Sequence, residues 1–186
     1  MGVIPGSIRV LSSQYPRRDK KEPEKYKYVE TVMTGIPGTP CCAQMSHALN
    51  MAGIPVPLSS YRRTPNPKLK VNGRVCNYLL ATDELEEFLQ SAYGEPETIN
   101  RDFSNKTRSV AEIKAYIKDR PGILIFRQAD LRVVPPKGKF EHTEIWNGTQ
   151  TLQRDMNEDY LFGCPRVLMW DANDPAKFLV DYMSKQ

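Results

Sequence analysis

Helical and sheet periodicities occupy different stretches of this chain, and their order admits few architectures. Three helical patterns fall between residues 40 and 117, and four extended patterns lie between residues 123 and 170. Helices followed by strands, with a turn-rich hairpin among the strands, specify an α+β domain rather than alternating βαβ units. In the first helix Met45, Ala48, Leu49 and Ala52 recur at i, i+3, i+4 and i+7, with Pro40 at the entry and Gly53 at the exit. Residues 82–93 form the second, with Thr82 expected to cap it and Gly94 and Pro96 to end it; its apolar stripe is Leu85, Phe88, Leu89 and Ala92. The third starts at Ser109, where Glu112 completes a capping box, and buries Val110, Ile113 and Ile117. Strands are expected at 123–127, 140–146, 149–154 and 167–170, the middle pair joined by Asn147-Gly148, a dipeptide that favours a two-residue hairpin turn.

The 186 residues suffice for one domain with a real core. Residues 1–37 are rich in Pro, Gly and charge and read as an extended arm, with one short strand at 26–33; residues 38–186 read as a single domain. Residues 55–67 form a second Pro-rich, irregular stretch. No apolar run is long enough to cross a bilayer, so membrane insertion is not expected. The N-terminal residues show neither the charged nor the apolar region of a secretory signal. The net charge of +4 is a mild excess, and a nucleic-acid arm would rest on residues 17–21 alone. The four cysteines, at 41, 42, 76 and 164, lack metal-binding spacing, so no metal or other cofactor is expected; a bridge among Cys42, Cys76 and Cys164 stays open.

Chemistry is concentrated at the first helix and the His142 strand. Cys41 lies four residues before Met45 and heads the buried stripe, and Cys42 borders it, so periodicity alone does not choose between them. A cysteine at a helix N-terminus has its thiolate stabilised by unpaired backbone N–H groups. Of the two histidines, His47 falls roughly 200° round the helix from Met45, away from Cys41. His142 shares a strand face with Phe140 and Glu144 and, on a strand packed beside the helix, can take the thiol proton. Cysteine on a helix, then histidine on a later strand, is the papain order.

The segment Cys41-Cys42-Ala43-Gln44-Met45-Ser46-His47-Ala48-Leu49-Asn50-Met51-Ala52-Gly53-Ile54-Pro55 resembles the nucleophile helix of the type VI secretion amidase effectors of family four. Asn77-Tyr78 leading into the second helix, Gly94-Glu95-Pro96, Pro121-Gly122-Ile123-Leu124-Ile125 and His142-Thr143-Glu144-Ile145-Trp146-Asn147-Gly148 are similar in the same order, over roughly residues 38–170. The resemblance implies a papain-like (NlpC-type) fold, with Cys41 as nucleophile and His142 as general base and acid. It also implies cleavage of the peptidoglycan stem peptide between γ-D-glutamate and meso-diaminopimelate, and injection into the periplasm of rival bacteria. A cognate immunity protein would plug the site. Gln44 departs from the family's usual Arg, which bears on substrate contacts. The third catalytic member, normally an Asp on the next strand, is open. A two-residue hairpin pairs His142 with Gln153 and leaves Asp155 a diagonal neighbour at about 7–8 Å; a bulge or two-residue shift would bring Asp155 to His142. Asp155 would also stabilise the imidazolium, whereas Gln153 would hold only its tautomer and position. The same Cys–His design supports transpeptidases and deamidases, and an amide opposite His142 leaves open a catalytically impaired homologue that binds cell-wall peptide or a protein partner.

Overall fold

The computed structural model describes residues 2–5, 8–16, 40–56, 64–71, 73–127, 141–153 and 157–173. In chain order these form β1 (Val3–Pro5), α1 (Ile8–Gln14), α2 (Pro40–Met51), β2 (Thr64–Val71), β3 (Arg74–Tyr78), α3 (Thr82–Tyr93), β4 (Glu97–Thr98), α4 (Val110–Tyr116), β5 (Gly122–Arg127), β6 (Glu141–Trp146), α5 (Glu158–Phe162) and β7 (Arg166–Asn173). Helices and a mainly antiparallel sheet occur together, as the order of periodicities requires. The sheet runs β1-β7-β5-β6, with β4 also on β7, and only the β1–β7 pair is parallel.

Alternation along the central strands divides the core in two. Ile123, Ile125, Ile145, Leu168 and Trp170 join the cluster beneath α1, α2 and α3, while Leu124, Phe126, Trp146, Val167 and Met169 join the one beneath α4 and α5. Both faces of β5 are therefore covered, which explains why its sequence is an unbroken apolar run. At Gly122 a Cβ would lie 2.3 Å from the Trp170 carbonyl oxygen. Only glycine lets β5 start against β7 there.

Where expectation and structure part, the reasons are local. The first residues of the expected arm belong to the fold: β1 pairs with β7, α1 packs on α2, and Leu11 and Tyr15 are fully buried. The strand expected at 26–33 lies outside the described residues. Within the expected irregular stretch 55–67, residues from Thr64 onward enter β2, whose pairing with β3 slips between Asn66 and Lys70. Pro67 falls in that gap and has no N–H to give to the ladder. Thr82 does not cap α3; Ala81 holds that position, and Glu84 accepts the Leu80 and Ala81 amides at 3.2 and 3.3 Å. The capping box at Ser109 forms as expected, with the Ser109 amide on Glu112 at 2.7 Å and the Glu112 amide on Ser109 Oγ at 3.3 Å.

The Asn147-Gly148 hairpin is wider than two residues. Asn147 Oδ1 accepts the amides of Thr149 and Gln150, each at 2.9 Å, and so holds them in the loop. Trp146 then pairs with Thr151 instead of Thr149, and the strand expected at 149–154 is reduced to that bridge and a Leu152-to-Ile145 hydrogen bond. All four cysteines are buried thiols outside any disulfide, so no bridge joins Cys42, Cys76 or Cys164. No described helix is long and apolar enough to cross a membrane.

Candidate active site

Helix α2 opens with Pro40, Cys41 and Cys42, and it packs along β6, an edge strand of the sheet path. Its burial is not a stripe. Every residue from Cys41 to Asn50 is buried except His47, including Gln44, Ser46 and Asn50. Buried polar groups must be bonded, and these are. Ser46 Oγ donates to the Cys42 carbonyl at 2.8 Å and accepts the Leu79 amide at 2.9 Å. Asn50 donates to the Asn77 carbonyl at 2.8 Å and accepts the Val56 amide at 3.0 Å. Ser46 and Asn50 are thus joints that tie the middle and last turn of the helix to β3 and the residue that follows it. Asn77 and Tyr78 belong to the same framework: Asn77 donates to the Val56 carbonyl at 3.2 Å, and the fully buried Tyr78 holds His47 Nδ1 at 3.1 Å.

The two cysteines face different partners. Cys42 Sγ lies 3.7 Å from Thr82 Oγ1 on α3. Cys41 hydrogen-bonds with the His142 imidazole. His142 is 6% exposed, stacks on Phe126 with ring centroids 6.2 Å apart, and sets its Nε2 3.5 Å from Glu144 Oε2. With Nε2 turned to Glu144, Nδ1 is the nitrogen left for Cys41. Burial pulls the His142 pKa down, but the bonds and charges of Cys41 and Glu144 outweigh it and push it up to about 9. A neutral solution therefore meets the imidazole protonated.

Gln153 is buried, but its amide oxygen accepts from Gln44 Nε2 at 3.1 Å, and the same nitrogen donates to the Pro16 carbonyl at 2.5 Å. Gln44 thus ties the end of the α1 segment and the strand return to the nucleophile helix, and at 1% exposure it faces the interior rather than a substrate. Counting on from the Trp146–Thr151 bridge aligns Gln153 with Glu144, two residues from the His142 alignment that a two-residue turn requires. That displacement is the shift by which Asp155 would reach His142; Asp155 itself lies outside the described residues. The residue that sequence reasoning left without a role is Glu144, although period two puts it on the His142 face. Among the described residues no group of His, Cys, Asp and Glu is placed to hold a metal ion.

A second concavity, of about 380 Å³, lies between Arg101, Arg108, Phe162 and Cys164, beside the cluster beneath α4 and α5. Its Arg108 is spent on backbone, donating to the carbonyls of Ile99 and Arg101 at 2.8 and 2.6 Å.

The sequence model of the family described as type VI secretion system (T6SS) amidase effector protein 4 matches residues 39–170. No curated protein matches the sequence. Among solved structures, the fold is similar to the type VI effector Tae4 from Enterobacter cloacae, with 17% identity, TM-score 0.63, and coverage of 93% of this chain and 100% of that one. It is also similar to the Salmonella typhimurium Tae4 in complex with the Enterobacter cloacae immunity protein Tai4, at 14% identity and TM-score 0.59, over 90% of this chain and 99% of that one. The Tae4/Tai4 effector–immunity system of Salmonella typhimurium gives 14% identity and TM-score 0.60, over 91% and 100%.

Proposed function

Because the chain belongs to the type VI secretion system amidase effector protein 4 family, we propose that it is an antibacterial toxin of papain-like design that hydrolyses the peptide stem of peptidoglycan, at the amide between γ-D-glutamate and meso-diaminopimelate. The observation that carries this reading is the hydrogen bond between Cys41, at the start of a helix, and the buried His142. A helix N-terminus and an imidazolium both favour a thiolate, so Cys41 rather than Cys42 is assigned as the nucleophile.

The steps follow from that pair. The Cys41 thiolate attacks the γ-carbonyl carbon, and the oxyanion is held by the Cys41 backbone N–H together with a second donor. The imidazolium passes its proton to the leaving diaminopimelate nitrogen, and the C–N bond breaks. Neutral His142 then takes a proton from water as its oxygen attacks the thioester, and the thiolate leaves to restore the pair. Asp155 or Gln153 is the proposed orienting residue on the strand return, as in papain-type sites. Gln153 already serves Gln44, which favours Asp155. The proposed cognate partner is an immunity protein, on the precedent of the solved Tae4 structures with Tai4, and the proposed site of action is the periplasm of a target bacterium.

Purified Gram-negative peptidoglycan treated with wild type, Cys41→Ala and Cys42→Ala tests the proposal, with fragments read by mass spectrometry. Cleavage between D-glutamate and diaminopimelate that is lost in Cys41→Ala and kept in Cys42→Ala is the expected outcome. Loss in Cys42→Ala alone would reverse the assignment. No release by wild type, with Cys41 inert to a thiol-directed probe, would replace the hydrolase with a binding homologue.

A further inference from the structure

Glu144 has no part in the reading above. It is wholly buried on β6. Its Oε1 accepts the amide of its neighbour Ile145 at 2.9 Å, its Oε2 lies 3.5 Å from His142 Nε2, and the buried Tyr15 hydroxyl bonds to the same carboxyl. Burial pushes the Glu144 pKa up against the pull of His142 and the Ile145 amide, and a buried carboxyl so placed costs stability and usually marks a site. Elsewhere in this fold carboxylates at the sheet margins are fully engaged: Glu86 binds Arg127 and Arg166, and Glu97 binds Tyr116 and Arg120.

The geometry points to Glu144 as the positioning residue of His142: it takes the Nε2–H, fixes the ring so that Nδ1 faces Cys41, and answers the positive charge of the imidazolium. This rests on the Cys41–His142 reading above. The separation of 3.5 Å is within ion-pair range and long for a hydrogen bond, as resting catalytic contacts often are. A ring held from Nε2 by an acceptor on its own strand cannot flip to present Nε2 to the thiol. The strand return is therefore not the only element able to orient the base, because the strand that carries the histidine also carries an acceptor two residues on. The wall behind Glu144 is Tyr15, fully buried, whose hydroxyl burial and the nearby Glu144, Cys41 and Cys42 hold protonated. The other charges around the strand are engaged elsewhere: Asp83 and Glu86 of α3 and Glu141 of β6 all bind Arg127 of β5. Glu144 is thus the one described carboxylate that meets the imidazole.

The test is Glu144→Gln in the full chain, read by the pH dependence of peptidoglycan hydrolysis and of Cys41 alkylation by iodoacetamide. Removing the carboxylate removes a group that favours the imidazolium, so the alkaline limb of both profiles should move down by about one pH unit. Turnover at neutral pH should fall roughly tenfold, with KM within about twofold. A thermal shift with unchanged limbs would reduce Glu144 to a structural residue and overturn the proposal. Should the variant fail to fold, ¹⁵N spectra of the wild-type histidines decide the matter. Nε2 of His142 should stay protonated through the titration, with Nδ1 losing its proton; loss from Nε2 instead overturns the assignment. If wild type releases no peptide, the hydrolase reading fails, while the ¹⁵N result still judges Glu144 by itself.

Discussion

Two clusters of opposite charge lie at different places in this sheet, and they are built differently. At its margin, Arg120 binds Glu97 at 2.7 Å and Asp171 at 3.0 Å, Tyr116 donates to the other Glu97 oxygen at 2.5 Å, and the Arg120 guanidinium lies over the Tyr116 ring at 5.1 Å. Each member is partly exposed, and the two carboxylates share one cation. At the His142 site the members are buried, the contact to Glu144 is long, and a thiol shares the imidazole. The first arrangement lets water share the cost of the charges; the second leaves that cost with the protein. Proteins retain a costly, incompletely bonded buried group where chemistry uses it. The clusters should also fail at opposite ends of the pH scale. His142 has a raised pKa, so the stability its protonation lends is full below the ordinary histidine range and is lost as pH rises through about 9. For Glu97 burial works against ionisation, but Tyr116 and Arg120 prevail and lower its pKa. Its contribution is present above the usual carboxylate range and is lost only as pH falls through that lowered value.

The comparison is broken most forcefully by replacing each cluster with apolar side chains. His142→Leu combined with Glu144→Leu should abolish peptidoglycan hydrolysis, by at least about 10³-fold. Its thermal midpoint should hold or rise, because a buried pair replaced as a unit by apolar groups is often neutral or stabilising. A large fall in the midpoint would mean that the pair supports the fold and would erase the contrast. The second test needs no variant. In the proposed mechanism the imidazolium is the acid, so the rate of hydrolysis should decline as pH rises through about 9, roughly tenfold for each further unit. An alkaline limb near the ordinary histidine value would show that Cys41 and Glu144 do not hold the proton.

A smaller effect is expected at Gln44, which joins the two parts of the molecule that reach the site from outside the helix. Gln44→Leu removes two buried hydrogen bonds and strands the Pro16 carbonyl and the Gln153 amide, at a cost of about 1–3 kcal/mol. Denaturant unfolding would measure it. A cost near zero would show that Pro16 and Gln153 find other partners and that the joint is dispensable.

How far these features could be seen in the sequence follows from how local their causes are. The helix at 82–93, the capping box at Ser109 and the apolar run of β5 are set by residues within a few positions of one another, and they stand where the periodicity puts them. The parallel pairing of β1 with β7 joins chain segments about 170 residues apart and rests on three residue pairs, so no window of sequence contains its signal. The hairpin at Asn147 was misjudged for a different reason. Asn-Gly favours the two-residue turn through its backbone, but here the Asn147 side chain captures two amides beyond it and sets the wider loop. The site was half visible. Cys41 and His142 carry a pattern of type and position, and the family words chose between the two cysteines. Nothing near Gln44, Ser46 and Asn50 in the sequence marks them as interior, and only the elements packed over them make them interior joints. Glu144 escaped notice because a glutamate alternating with a histidine is ordinary on a solvated strand, and its burial is a property of the assembled fold.

The smallest expected effect lies at the margin cluster and sharpens the contrast from the other side. Arg120→Met keeps the aliphatic stem beside Tyr116 and removes the charge between Glu97 and Asp171. Because the arginine side chain is 27% exposed, water can resolvate both carboxylates, and the loss should be about 0.5–1 kcal/mol. Glu97 and Asp171 then repel each other without a cation between them, so the variant should lose more at neutral pH than at low pH, where carboxylates take up protons. Urea unfolding at the two pH values would show that difference, and peptidoglycan hydrolysis should stay within about twofold of wild type, since Arg120 spends its charge on Glu97 and Asp171. A fall in hydrolysis with little change in stability would mean that the margin of the sheet communicates with the site through β5 and β7, and the separation between a cluster for folding and a cluster for chemistry would no longer hold.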